Sequence, residues 1–156
     1  MLGLLEFQTN IRKGFFMVDQ RQIELSQILI ELYDKISSWE HAVVRKSGLS
    51  PAQMHAVEIV GHHEKLRMKE LAEKMGITTG TLTVMVDRLE REGLVSRQPH
   101  PTDRRSYVIV LTENGREQFE EHHQMHCLLT AEITASFDDE EMDRLKGYLE
   151  RLVQRF

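Results

Sequence analysis

A mainly α-helical fold with one small β-hairpin is what this 156-residue sequence predicts. Three observations predict it. From about Gln20 to Lys46 there is neither proline nor glycine, and Ile23, Ile30, Tyr33, Ile36 and Val43/Val44 recur at helical spacing. Helix-start and helix-stop residues then punctuate the chain at short intervals. The apolar period changes character once, between Leu94 and Leu111, where β-branched and aromatic residues take over.

The elements follow in order. Gly48 stops the first helix, and Ser50-Pro51 reads as an N-cap with proline at N1, opening a second helix to about His62 or His63. A third runs from about Met68 to Met75 and ends at Gly76. Thr78 or Thr79 caps a fourth, with Leu82, Val86 and Leu89 as its buried stripe and Gly93 as its end. Val95 and Tyr107-Val108-Ile109-Val110-Leu111 form a two-stranded hairpin around a proline-marked basic tip. Thr112-Glu113-Asn114 starts a long fifth helix to about Ser136. Asp138 caps a last helix whose Met142, Leu145, Leu149, Leu152 and Phe156 form an apolar seam. A hairpin directly after a helix–turn–helix is a winged helix.

Composition sets the class. With 40% apolar and 29% charged residues the chain is neither disordered nor fibrous. No stretch approaches the roughly 18 apolar residues of a membrane span, so no membrane partner is expected. Met1–Leu5 meets Glu6 at once, with Arg12 and Lys13 behind it, the wrong charge order for a signal peptide. The single cysteine, Cys127, excludes an intrachain disulfide and fits a reducing cytoplasm. Net charge is −5, but it is unevenly spread. Lys65 to Arg105 holds nine basic and six acidic residues, a net +3 that leaves −8 for the remainder. The average hides a basic middle third.

That third carries the recognition chemistry. Leu71-Ala72-Glu73-Lys74-Met75-Gly76-Ile77 followed by Thr78-Thr79-Gly80-Thr81-Leu82-Thr83 has helix–turn–helix form: Ala72 is small at the crossing, Gly76 turns, and Ile77 plugs the core. Thr79, Gly80, Thr81 and Thr83 keep the start of the second helix slim enough to approach a phosphate backbone, where free N–H groups favour anions. Together with Arg88 they lie within reach of a major groove. An ordinary helix pair with a threonine-rich cap has the same signature, and the hairpin tips the balance. Arg104 and Arg105 at its tip suit a narrow minor groove, and Asp103 would pair with Arg97 or Arg105 to aim the guanidinium.

The segments Leu89-Glu90-Arg91-Glu92-Gly93-Leu94-Val95-Ser96-Arg97, Pro101-Thr102-Asp103-Arg104-Arg105 and Val110-Leu111-Thr112-Glu113-Asn114-Gly115-Arg116 resemble the MarR family of bacterial transcription regulators. The resemblance spans about Gln20 to Phe156. It implies a homodimeric repressor on double-stranded DNA, held together by the N- and C-terminal helices, with recognition helices in major grooves of a pseudo-palindromic operator and wing arginines in the minor grooves. Residues 1–49 and 113–156 would then be dimerisation and sensing helices, and 50–112 the DNA-binding lobe. Val84 departs from the family, many of whose members carry a basic residue there. The +3 segment becomes the DNA face and the −8 remainder the dimer body.

Eight histidines raise a second question. On the fifth helix Phe119, His122, His126, Leu129, Ile133 and Phe137 form one seam, so His122 and His126 sit one turn apart where both can face one ion. Histidines bonded to carbonyls or carboxylates fit the spacing too. Glu121-His122-His123-Gln124-Met125-His126 resembles the zinc-responsive branch of the MarR family. That resemblance implies a zinc site of Glu40, His55, His122 and His126; the branch's second site lacks its residues here. The alternatives are a small aromatic or lipophilic effector in a crevice lined by Trp39, Phe119 and methionines, a helical adaptor that binds protein through the acidic half, or a small zinc hydrolase. Against the hydrolase, there is no His-Glu-x-x-His, glycine-rich loop or nucleophile elbow.

Overall fold

The structure, a computed structural model, describes residues 19–100 and 106–155. The elements are α1 (Gln20–Val44), a 3₁₀ turn (Arg45–Ser47), α2 (Pro51–His63), β1 (Leu66–Arg67), α3 (Met68–Met75), α4 (Thr79–Arg91), β2 (Val95–Pro99), β3 (Tyr107–Leu111), α5 (Glu113–Ile133) and α6 (Asp139–Val153).

Local chemistry places the helix ends. Ser50 accepts the Gln53 N–H at 3.2 Å, and the Gln53 side chain accepts the Ser50 N–H at 3.0 Å, a reciprocal capping box with Pro51 at the first helical position. Asp138 and Glu141 cap α6 in the same way. Thr78 caps α4, its hydroxyl accepting the Thr81 N–H at 3.2 Å. Gly76 turns α3 into α4 in the left-handed region, φ +66°, where a side chain is strained. Two helix ends differ from expectation. The first helix tightens into the 3₁₀ turn after Val44, and α5 ends at Ile133, followed by a turn that leads to the Asp138 cap.

The expected two-stranded hairpin is part of a three-stranded antiparallel sheet, ordered β1-β3-β2. Leu66 pairs with Ile109 and Arg67 with Val108 on one side of β3, while Val95 to Pro99 pair with Leu111 to Tyr107 on the other. A two-residue strand carries no readable alternation, so only the pairing reveals it.

Contacts divide the described chain into two compact units, residues 34–126 and residues 19–33 with 127–155. The packing boundary therefore falls inside α1 and α5, whereas the sequence divides the chain at 49/50 and 112/113. The first unit holds the core. Met54, Val57 and Val60 of α2, Leu71 and Ala72 of α3, Leu82, Val86 and Leu89 of α4, and Val95 and Ile109 of the sheet are buried together. Each large side chain among them contributes about 1.5–3 kcal/mol on leaving water. Val44 joins this core from α1, and Phe119 packs on it from α5.

In the second unit no described residue is buried. Ile28, Leu128 and Leu152 are about half exposed, as are Ile133, Phe137 and Leu149 of the expected seams. The periodicity is as read, but a single chain does not cover it. No helix among the described residues is long and apolar enough to cross a membrane.

Candidate functional site

The helix–turn–helix is α3 and α4. The buried Leu82, Val86 and Leu89 lock one face of α4 into the core, which turns Thr79, Gly80, Thr81, Thr83, Val84 and Arg88 outward. Val84 is 70% exposed, an unpaired apolar group on a polar face. The Thr83 hydroxyl donates to the Thr79 carbonyl at 2.8 Å and Thr81 Oγ1 lies 3.0 Å from Thr78 Oγ1, so the threonines are pre-oriented by their own helix. Arg88 pairs along the helix with Glu92 at 2.8 Å.

Arg97, a candidate for the DNA interface, is held by acidic residues of its own chain. Its guanidinium bridges Asp87 and Glu90, and its N–H donates to Glu90 Oε1 at 3.1 Å. β2 is thereby clamped to α4. Partial burial works against the charge, but the two carboxylates outweigh it and raise the Arg97 pKa further. At the other side of the sheet Arg67 Nη2 meets His100 Nε2 at 2.9 Å. Asp103, Arg104 and Arg105 lie outside the described residues.

The histidines converge as a cluster. His122 is 2% exposed. Its Nε2 lies 3.1 Å from His126 Nε2 and 3.2 Å from Glu40 Oε1, and His126 Nε2 lies 3.4 Å from Glu40 Oε2. Glu40, His122 and His126 thus present one ligand atom each within 4.8 Å of one another. Glu40 Oε2 is fully buried and accepts no hydrogen bond. A buried carboxylate oxygen without a hydrogen bond costs free energy, which a cation or a proton on the neighbouring His126 would offset.

His55, the fourth residue implied by the resemblance, stands outside this group. Its side chain is 57% exposed and its Nδ1 is 3.9 Å from Glu58 Oε2, an ion-pair distance rather than a hydrogen bond. Glu58 takes the inner position. Its Oε1 lies 3.6 Å from His122 Nε2 and 3.4 Å from His126 Nε2. Burial pushes the Glu58 carboxyl up, but His55, His122 and His126 together hold it below the ordinary carboxylate range. The Glu58 carboxylate in turn raises His55 against its own partial burial. Sequence reasoning missed Glu58. The available signal was its i,i+3 relation to His55 on α2.

The crevice expected for an aromatic effector is not lined as predicted. A cleft of about 350 Å³ borders the cluster, walled by Val43, Met54 and Met125 but also by Lys46, Gln118, Glu121 and Gln124. Trp39 instead stands edge-on to His126, 5.0 Å between ring centroids. Phe119 stacks on His123 at 5.9 Å and meets His62 edge-on. Both aromatic rings are engaged with histidines.

A winged helix–turn–helix with a slim, outward-facing second helix is a nucleic-acid-binding architecture. Residues 49–107 match the family described as MarR family. The chain is 29% identical over 136 residues to the HTH-type transcriptional repressor MdtR of Bacillus subtilis (strain 168), covering 87% of this chain and 88% of that protein. Among solved structures, a MarR family protein from Bacillus stearothermophilus matches with a TM-score of 0.78 at 28% identity, over 87% of this chain and 96% of that one. Streptococcus pneumoniae FabT, solved in complex with DNA, shares the fold with a TM-score of 0.76 at 23% identity, over 84% and 94% of the two chains. The helix–turn–helix and wing, residues 49–107, are therefore similar to the MarR family, and the fold is that of the MarR-family winged-helix structures.

Proposed function

We propose that the protein is a repressor that binds a pseudo-palindromic operator as a homodimer, with its DNA affinity set by a divalent metal ion, zinc in the first place. The outward face of α4 carries the DNA-binding part. Its first turn offers the Thr79 and Gly80 N–H groups beside the Thr78 cap, with no bulky side chain between backbone and phosphate. Val84 and Thr83 suit apolar contact with a thymine methyl. Arg104 and Arg105, which fall between β2 and β3 in the sequence, are the candidates for minor-groove contact.

Dimerisation is supported by residues 19–33 and 127–155, whose apolar side chains a single chain leaves in water. Exposed apolar surface of that extent marks an association site, and a second copy of the same helices supplies the matching face.

Metal control is supported by the Glu40 carboxylate, whose Oε1 lies 3.2 Å from His122 Nε2 and whose buried Oε2, without a hydrogen bond, lies 3.4 Å from His126 Nε2. These three residues, with one more from α2, would hold the ion. The ion would supply a cross-link between α1, α2 and α5, and α2 leads through β1 directly into the helix–turn–helix. Such a cross-link biases the dimer toward one spacing of its recognition helices.

The experiment is a gel shift with fragments upstream of the protein's own gene, at several salt concentrations, with zinc or with chelator. Sequence-selective binding that weakens steeply with salt is expected, with affinity changed by zinc. No binding to any fragment under either condition would overturn the function. Binding indifferent to zinc would remove the metal from it.

A further inference from the structure

We infer that Glu58, not His55, is the fourth protein ligand of the metal centre, and that His55 is a positioning residue that holds the Glu58 carboxylate. This rests on the metal-binding function proposed above and deepens it. Glu40, His122 and His126 bring ligand atoms within 4.8 Å of one another, and Glu58 Oε1 lies 3.6 and 3.4 Å from the His122 and His126 Nε2 atoms. The separations that involve these two imidazole nitrogens run 3.1, 3.2, 3.4, 3.4 and 3.6 Å. A tetrahedral ion with bonds of about 2.0–2.2 Å has ligand atoms roughly 3.3–3.5 Å apart. Glu58 Oε1 stands at about that spacing from both imidazole nitrogens.

Glu58 and His55 divide their roles by depth. Glu58 is 17% exposed and turns Oε1 to both imidazoles. Its other oxygen, Oε2, faces His55 Nδ1 from the solvent side. His55 would have to leave water and displace Glu58 to take that position. As it stands it does what an outer partner of a metal carboxylate does, fixing which oxygen points inward.

The donor set is then two imidazoles and two carboxylates. With neutral histidines its charge of −2 matches a dication, where a set of three histidines and one carboxylate carries −1. A larger oxygen share raises the standing of harder ions such as Mn²⁺ relative to Zn²⁺, although zinc still binds more tightly in absolute terms.

The test is zinc affinity of the full-length protein by competition with a chromophoric chelator, alongside the d–d absorption of the Co²⁺ form. One ion per chain is expected for the unaltered protein. Glu58→Gln should weaken zinc binding by more than about 100-fold and change the Co²⁺ band. His55→Ala should weaken it by about tenfold and leave the band unchanged, because outer-shell losses run about 10–100-fold. Glu58→Asp, which keeps the charge but withdraws the oxygen, serves if Glu58→Gln does not fold; unaltered binding by that variant overturns the assignment. If His55→Ala abolishes binding while Glu58→Gln binds normally, His55 is the ligand, and the metal-binding function survives without this inference. If the unaltered protein binds no zinc, both fall.

Discussion

Gly115 lies against the backbone of Leu94: a Cβ at position 115 would stand 1.9 Å from the Leu94 carbonyl oxygen. That oxygen already accepts the Thr112 N–H at 3.0 Å, and the Thr112 hydroxyl accepts the Gly115 N–H at 3.0 Å. The first turn of α5 is thereby seated on the strand end where β2 begins. Neither backbone segment can yield without breaking these bonds. Gly115→Ala should cost about 3 kcal/mol, through overpacking against backbone. Denaturant unfolding checks it, as a lower midpoint at unchanged slope. A loss below about 1 kcal/mol would show that the close approach is not rigid.

Gly80 separates stability from binding. A Cβ there meets nothing closer than Thr78 Oγ1 at 3.8 Å. Gly80→Ala should therefore stabilise the fold by about 0.5–1 kcal/mol, the helix-propensity gain. The same methyl would stand between the first turn of α4 and a DNA phosphate, so operator affinity should fall about tenfold, or about 1.4 kcal/mol. Unchanged affinity in a more stable variant would mean the backbone does not approach the phosphate closely.

Arg97 and Arg105 should behave as opposites. Arg97 bridges Asp87 and Glu90, so Arg97→Ala should destabilise folding by about 1 kcal/mol, the modest value set by solvent screening of a partly exposed pair. The salt dependence of DNA binding should keep its slope. Arg105→Ala should leave stability alone and reduce that slope by about one phosphate contact. Thermal unfolding and salt-titrated binding of both variants settle the assignment, and a lowered slope for Arg97→Ala would contradict it.

Zinc should stabilise the folded protein. At a free concentration 100 times the dissociation constant the gain is about 2.7 kcal/mol for one site. A thermal shift that chelator reverses is the expected observation. His122→Ala should abolish the shift, since it removes the most buried donor. A shift retained in His122→Ala would place the ion elsewhere.

The helix order was legible in the sequence because its signals are local. Capping by Ser50, Thr78 and Asp138 depends on residues three apart, and the Leu82, Val86, Leu89 stripe depends on one helix. The pairing of His122 with His126 was legible for the same reason. What failed were relations that cross between elements. Leu66–Arg67 becomes a strand only by pairing with β3, and Arg97 finds Asp87 and Glu90 only when β2 returns along α4.

The sequence by itself determined a winged helix–turn–helix with two histidines one turn apart on its fifth helix. Only tertiary structure decided what surrounds those histidines. His55 and Glu58 share one face of α2, and periodicity alone does not distinguish an inner residue from an outer one on that face. Packing against α5 does: Glu58 Oε1 lies 3.4 Å from His126 Nε2, whereas the His55 side chain is 57% exposed. A ligand set is a property of several helices at once, so it is settled where they meet rather than along any one of them.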